Sequence, residues 1–332
     1  MTPAPHTVTL LTEQDIRELV GLDREELAAV EAVYPLISAG VGSMPPIQRI
    51  DVPERRGEID IKSAYLPGLS GIAVKVSAGF FDNPAIGLPS LGGLMMVFDA
   101  ETGRPQAALF DNGFLTNLRT ALAGAVAADR LAVPQAATVG VIGAGVQARL
   151  QVEALTLVRP IQVVRIWARR REAAERLAGD VRARLRLDAT VVDEPADVAV
   201  PGGIVVTTTP ASEPVLDVRA VQPGLHVTAI GSDAEHKQEL AVDLIEAADV
   251  IVCDSRAQSA RLGELRAVTA AGTVTAPQTE LGDVISGRVA GRRRDEQVTI
   301  CDLTGTGAQD TAIASLTVRR AVARGVGAVL PV

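Results

Sequence analysis

The segment Val139-Gly140-Val141-Ile142-Gly143-Ala144-Gly145-Val146-Gln147-Ala148 constrains the fold more than any other stretch of the chain. An apolar run of strand length, Ala137 to Ile142, leads into it. A helical pattern, Gln147 to Val158, leads out, with Leu150, Ala154, Leu157 and Val158 on one face. Between them the spacing G-x-G-x-x-G/A is met by Gly143, Gly145 and Ala148. Gly143 permits a tight turn, Gly145 lets the backbone approach a pyrophosphate, and Ala148 allows close packing of helix on strand. The following helix N-terminus favours negative charge. The loop Gly143-Ala144-Gly145-Val146-Gln147 is therefore a candidate dinucleotide site.

The pattern around it repeats. Val163 to Trp167 reads as a second strand and Arg171 to Leu185 as a charged amphipathic helix. Ile204 to Thr208, Val227 to Ile230 and Val250 to Cys253 supply further short apolar strands. Strands alternating with helices imply a parallel sheet with crossover connections, a Rossmann-type doubly wound α/β fold. Composition agrees: apolar residues make up 47% of the chain and aromatic ones 2%, so the core must be aliphatic, which suits buried parallel strands.

The first third reads differently. Ile72 to Val76, Leu94 to Phe98 and Ala107 to Phe110 look like strands, with Glu101-Thr102-Gly103-Arg104 as a hairpin turn between the last two. Phe114 to Leu131 reads as one long Ala-rich helix, and Ala312 to Ala323 as a helix returning to the first domain. The expected division is a second, α+β domain over 1–124 and 302–332, and a Rossmann domain over 125–301.

At the end of the second Rossmann strand an Asp or Glu would hold the ribose hydroxyls of NAD. This chain has Trp167-Ala168-Arg169-Arg170-Arg171 instead. The missing acid and the cation Arg169 favour NADP over NAD, since a 2′-phosphate wants cationic partners; the alternative is that these arginines open the next helix and face solvent. The net charge of −8 argues against nucleic acid as a partner. No run of about 18 apolar residues predicts a membrane span, and the N-terminus lacks a secretory pattern. Cys253 and Cys301 each end an apolar run and read as buried thiols. A cytoplasmic protein is expected.

No zinc-ligand spacing, nucleophile elbow or P-loop occurs, so no metal is expected. Of the three histidines, His226 starts a strand and reads as structural. The lysines are more telling: Lys62, Lys75 and Lys237 are the only ones among 32 basic residues. Lys75 lies in Ile72-Ala73-Val74-Lys75-Val76, where a cation is seldom buried without a partner.

Several segments in order resemble the ornithine cyclodeaminase/mu-crystallin family over nearly the whole chain. They are Gly71 to Lys75, Leu115-Thr116-Asn117-Leu118-Arg119-Thr120-Ala121, the glycine loop, Ile230-Gly231-Ser232-Asp233 with Lys237-Gln238-Glu239-Leu240, and Asp302 to Asp310. The resemblance implies homodimers in which the terminal segments bind substrate and dimerise. It implies that Arg49, Lys75 and Arg119 bind a substrate carboxylate and that Asp233 is the acid/base beside the substrate nitrogen. Thr120, Gln147 and Lys237 would contact the dinucleotide, with Thr208 and Ser232 at neighbouring strand ends. Two or three cations fixing an α-carboxylate would turn the adjacent carbon to the nicotinamide. The alternative for Asp233 is a helix N-cap after Gly231-Ser232.

One departure bears on substrate. Ornithine cyclodeaminases carry a Glu about thirteen residues before the family lysine, where this chain has Lys62. Reversing the charge disfavours a diamine and suits a second carboxylate, and a lysine here resembles the family's iminosuccinate reductases. Phe80-Phe81-Asp82-Asn83-Pro84 and Leu88-Pro89-Ser90 resemble the ectoine-utilisation branch. The alternative for Lys62 is an exposed strand residue partnered by Asp60 or Glu58. The expected function is NAD(P)H-dependent reduction of a small imino acid, equivalently an amino-acid dehydrogenase. A cyclodeaminase using bound NAD+ on a diamino acid, and a non-catalytic NADP-binding crystallin-like protein, stand as alternatives.

Overall fold

In the computed structural model, which describes residues 6–272 and 278–332, the first third folds mostly as antiparallel strands. They are β1 (Thr7–Thr12), β2 (Gln48–Val52), β3 (Gly57–Ala64), β4 (Gly71–Phe80), β5 (Leu91–Asp99) and β6 (Pro105–Phe110). With the C-terminal strand Ala328–Pro331 they make one sheet, in the order C-terminal strand, β1, β6, β5, β4, β3, β2. The expected hairpin turn joins β5 to β6. The Asp99 carboxylate accepts from the backbone of Glu101 and Thr102, and Gly103 takes a φ of +70°, which a side chain would resist. The expected strands are longer than their apolar cores. The edges of the sheet are exposed: β2 is largely polar, and the C-terminal strand, Ala328–Pro331, is apolar throughout yet unburied.

The helix Gly307–Arg324 packs on this sheet and belongs to the same unit, Met1–Arg119 with Thr306–Val332. Its first turn is clamped to the strands. A Cβ at Gly307 would lie 2.5 Å from the Ser63 carbonyl oxygen, so only glycine permits the approach. One turn on, the Thr311 hydroxyl donates to the Ala64 carbonyl at 2.9 Å and accepts from the Ala73 amide at 3.3 Å. Those contacts fix where the intervening Asp310 stands.

The second unit, Thr120–Gly305, contains β7 (Thr138–Ile142), β8 (Val163–Trp167), β9 (Asp188–Val191), β10 (Ile204–Thr207), β11 (His226–Ala229), β12 (Val250–Cys253), β13 (Gln278–Glu280) and β14 (Thr299–Asp302). They form a parallel sheet in the order β13, β12, β14, β11, β10, β7, β8, β9. This is the doubly wound α/β architecture. The chain runs outward from β7 to β8 and β9, then returns to lay β10 on the other side of β7. That reversal is the switch point at which such sheets bind ligands, beyond the strand C-termini. Both faces are covered: in β10, Val206 joins the core under the helices Val146–Leu155 and Arg171–Leu185, and Val205 joins the core under Val242–Glu246 and Leu265–Ala271. Among the described residues no helix is long and apolar enough to cross a membrane.

Candidate active site

The glycine loop sits at the switch point, between the C-terminal ends of β7 and β10. Gly143 has φ +116°, and a Cβ there would come within 2.6 Å of the Thr208 hydroxyl, which itself donates to the Ile142 carbonyl at 3.1 Å. Gly145 caps the helix Val146–Leu155 without a side-chain hydrogen bond, and a Cβ on it would meet nothing within 4 Å. Gly145 and Val146 are exposed and Ala144 half-buried. The loop thus offers an uncapped helix N-terminus behind open backbone, which is what a pyrophosphate requires. Gln147 and Thr120 are tied together by Gln151, a buried residue that sequence reasoning passed over. Its amide donates to the Thr120 carbonyl at 3.0 Å and to the Gln147 side chain at 3.4 Å. Gly124 makes room for it, since a Cβ there would lie 2.0 Å from the Gln151 oxygen.

At the end of β8, Arg169 and Arg170 are exposed, and Arg170 is the residue before the helix Arg171–Leu185. Arg171 pairs with Asp193, whose carbonyl accepts the Trp167 indole N–H at 3.2 Å.

The segment after β11 brings Ser232, Asp233 and Lys237 together. The buried Ser232 hydroxyl donates to the Lys237 carbonyl at 2.9 Å, and Lys237 Nζ lies 2.6 Å from Asp233 Oδ1. No helix begins at Asp233, so the N-cap alternative falls. A second missed residue, Glu239, holds this segment in place. Its buried carboxylate accepts from Thr207 Oγ1 at 2.6 Å, Thr209 N at 2.5 Å and Gly231 N at 2.7 Å, fastening the ends of β10 and β11 to each other. Behind it Glu264 accepts from the amides of Glu239 and Leu240. Burial and the neighbouring Asp302 and Glu239 push Glu264 up to about 8. Burial beside Asp254 likewise pushes Asp302 up to about 7. His226 is buried between the hydroxyls of Thr299 and Thr228, each 2.9 Å away. Its burial, with Arg292 and Arg159 near, lowers it to about 3, so it is a neutral structural residue. Cys253 and Cys301 are both buried thiols.

In the first unit three of the candidate cations converge. Lys75 on β4 is 2% exposed and Arg119 5%. Both bind the fully buried Asp310: Lys75 Nζ to Oδ2 at 2.8 Å and Arg119 Nε to Oδ1 at 2.9 Å. Lys62 on β3 stands directly across from Lys75, half-buried, and adds its positive field to both Lys75 and Asp310. Arg49 lies one strand further out. Its guanidinium engages Asp60 at 2.8 Å and Glu58 at 3.5 Å, so those two acids turn to Arg49 across the β2–β3 pairing. Asp310 ends one of the segments that resemble the family, and no local spacing shows that it meets residues 191 and 235 positions away.

The model of the ornithine cyclodeaminase/mu-crystallin family matches residues 7–325. An uncharacterized cyclodeaminase of Sinorhizobium fredii is 49% identical over 324 residues, 97% of this chain and 98% of the relative. Among solved structures, an archaeal alanine dehydrogenase dimer with bound NAD superposes with a TM-score of 0.89 at 32% identity, covering 98% of this chain and 99% of that one. The iminosuccinate reductase of Paracoccus denitrificans in complex with NAD+ superposes with a TM-score of 0.90 at 30% identity, covering 98% and 100%.

Proposed function

The chain belongs to the ornithine cyclodeaminase/mu-crystallin family, and on that footing we propose that it reduces a small imino acid with NAD(P)H, the reverse of an amino-acid dehydrogenation. The observation that carries this reading is the buried pair Lys75 and Arg119 on one carboxylate. Two cations held this close and this dry form a receptor for an α-carboxylate, because charge-assisted hydrogen bonds strengthen as water is excluded.

The dinucleotide, when bound, supplies the hydride. The chain's own residues do the rest. Gly143, Ala144, Gly145 and Val146 present backbone to the pyrophosphate, with Thr120, Gln147, Thr208, Ser232 and Lys237 as further contacts. Lys75 and Arg119, with Arg49 from β2 two strands away, take the substrate carboxylate. Asp233 gives a proton to the substrate nitrogen as hydride arrives at the adjacent carbon, and takes it back in the reverse direction, with Lys237 Nζ at 2.6 Å orienting its carboxyl group. Lys62 is assigned to a second carboxylate on the substrate, which makes a dicarboxylic imino acid the preferred class. Arg169 is assigned to the 2′-phosphate of NADP. The active form is proposed to be a homodimer, as the similar archaeal enzyme is.

The test is oxidation of NADPH and NADH with a panel of 2-oxo acids, oxaloacetate and pyruvate included, in the presence of ammonia or methylamine. Steady oxidation is expected, and Asp233→Asn should abolish it while dinucleotide binding persists. The 49% identical cyclodeaminase favours a second reading, in which bound NAD+ turns a diamino acid into a cyclic one with loss of ammonia. Ammonia release from a diamino acid without net oxidation of NAD(P)H would replace the first reading by the second.

A further inference from the structure

We propose that Asp310 is a positioning residue, the internal counter-ion whose carboxylate holds Lys75 and Arg119 side by side and keeps Lys75 an ammonium. The inference rests on the reading above that those two cations bind the substrate carboxylate; what it adds is how two like charges can be kept together, charged, in a dry place.

The geometry is specific. Asp310 gives one oxygen to each cation, at 2.8 Å and 2.9 Å, and is fully buried. Gln309, the residue before it, accepts from Arg119 Nη1 at 3.0 Å and donates to the Tyr34 hydroxyl at 2.6 Å. Arg119 is therefore held at two of its nitrogens by consecutive residues of one helical turn. That turn is itself fixed to β3 and β4 by Gly307 against Ser63 and by Thr311 between Ala64 and Ala73. Nothing in this chain of contacts depends on a ligand.

The electrostatics make Asp310 necessary. Burial drives Lys75 down to about 7, and Arg119 and Lys62 push in the same direction, while Asp310 opposes them. Asp111, at the start of the helix bearing Arg119, is also within the field of Lys75. The surrounding charges are thus Asp310 and Asp111 against Arg119 and Lys62. Asp310 is the one in direct contact, and its own carboxyl is held below the usual range by Arg119 and Lys75 despite its burial. Without its charge the lysine would shed its proton at lower pH, and the receptor would lose one of its cations.

The experiment is calorimetric titration of the full chain with propionate, an unreactive carboxylate, from pH 5.5 to 9. Wild type should bind with constant affinity in acid and weaken about tenfold per pH unit once Lys75 deprotonates near pH 7. Asp310→Asn should move that onset down by a unit or more while binding at pH 5.5 is retained. Asp310→Glu, which keeps the charge, should leave the onset within half a unit. If Asp310→Asn does not fold, Asp310→Ser, smaller and equally uncharged, takes its place with the same downward shift of onset expected. An onset that stays in place when the charge at 310 is removed overturns the role of Asp310. A wild type that binds no propionate at any pH, yet reduces an imino acid, overturns instead the carboxylate reading on which it rests.

Discussion

Lys62 and Lys75 face each other across the antiparallel pairing of β3 and β4, so two of the chain's three lysines share one patch of sheet. Like charges directly opposite are unfavourable in a sheet, and the pair is tolerable because Asp310 lies within the field of both. A substrate with two carboxylates would relieve the repulsion further. Replacing Lys62 by Ala should therefore raise KM for an oxaloacetate-derived imine about ten- to hundredfold, the loss expected for one charge-assisted hydrogen bond of about 1.5–3 kcal/mol. KM for a pyruvate-derived imine should change little. Equal losses with the two substrates would mean that Lys62 supports the pocket and reads no second carboxylate.

The cofactor assignment turns on Arg169 and Arg170, both exposed just after β8, where the sequence carries arginines in place of the Asp or Glu that would hold the ribose hydroxyls of NAD. Arg169→Ala should weaken NADPH about tenfold and leave NADH within twofold, since only the former carries the 2′-phosphate. Nucleotide titration by fluorescence measures it. A parallel fall for both nucleotides, or a parent that prefers NADH outright, would remove the NADP assignment.

The parallel sheet was legible because its strands are buried on both faces and read as unbroken apolar runs, as in Ile204-Val205-Val206 and Val250-Ile251-Val252. The glycine loop was legible because its chemistry is local. Edge strands such as β2, where Gln48, Arg49, Ile50 and Asp51 are all exposed and only Val52 is half-buried, give no such signal. Buried carboxylates were the larger gap. Glu239, Glu264 and Asp310 look like surface residues in sequence, and only tertiary structure supplies the amides, hydroxyls and cations that allow their burial. Lys75 is legible for the opposite reason, an ammonium in an apolar strand.

Gly143 offers a test of the dinucleotide loop. Its φ of +116° is a backbone state that side chains avoid, and a Cβ would press on the Thr208 hydroxyl at 2.6 Å. Gly143→Ala should cost about 1–3 kcal/mol of stability and weaken NAD(P)H binding at least tenfold by moving the loop. A thermal melt and a nucleotide titration read the two effects. Gly145→Ala is the informative partner: with open space around its Cβ it should leave the melt unchanged and still impair nucleotide binding, because the methyl group takes the place of the approaching pyrophosphate. Normal nucleotide affinity in Gly145→Ala would argue that the phosphates lie elsewhere.

The buried acids behind β11 and β14 predict an unusual dependence of stability on pH. Glu264 is raised to about 8 and Asp302 to about 7, against ordinary values of 4.5 and 3.8. Their folded values lie above their unfolded ones, so folding favours the neutral forms. The stability they contribute is complete below about pH 4. It drains away as pH rises, by about 1.4 kcal/mol per pH unit for each group, until Asp302 ionises near 7 and Glu264 near 8. Two other buried groups act in the opposite sense. His226, lowered to about 3, costs stability as pH falls from 6.5 toward 3, and Lys75, lowered to about 7, adds stability as pH rises from 7 toward 10.5. The difference between parent and variant separates them. Denaturant unfolding of the parent and of Glu264→Gln between pH 5 and 8 should show the variant gaining on the parent steadily across that range, by about 1 kcal/mol or more for each pH unit. Curves that run parallel from pH 5 to 8 would mean that Glu264 is already ionised in the folded protein, with the Glu239 and Leu240 amides sufficient to hold its charge.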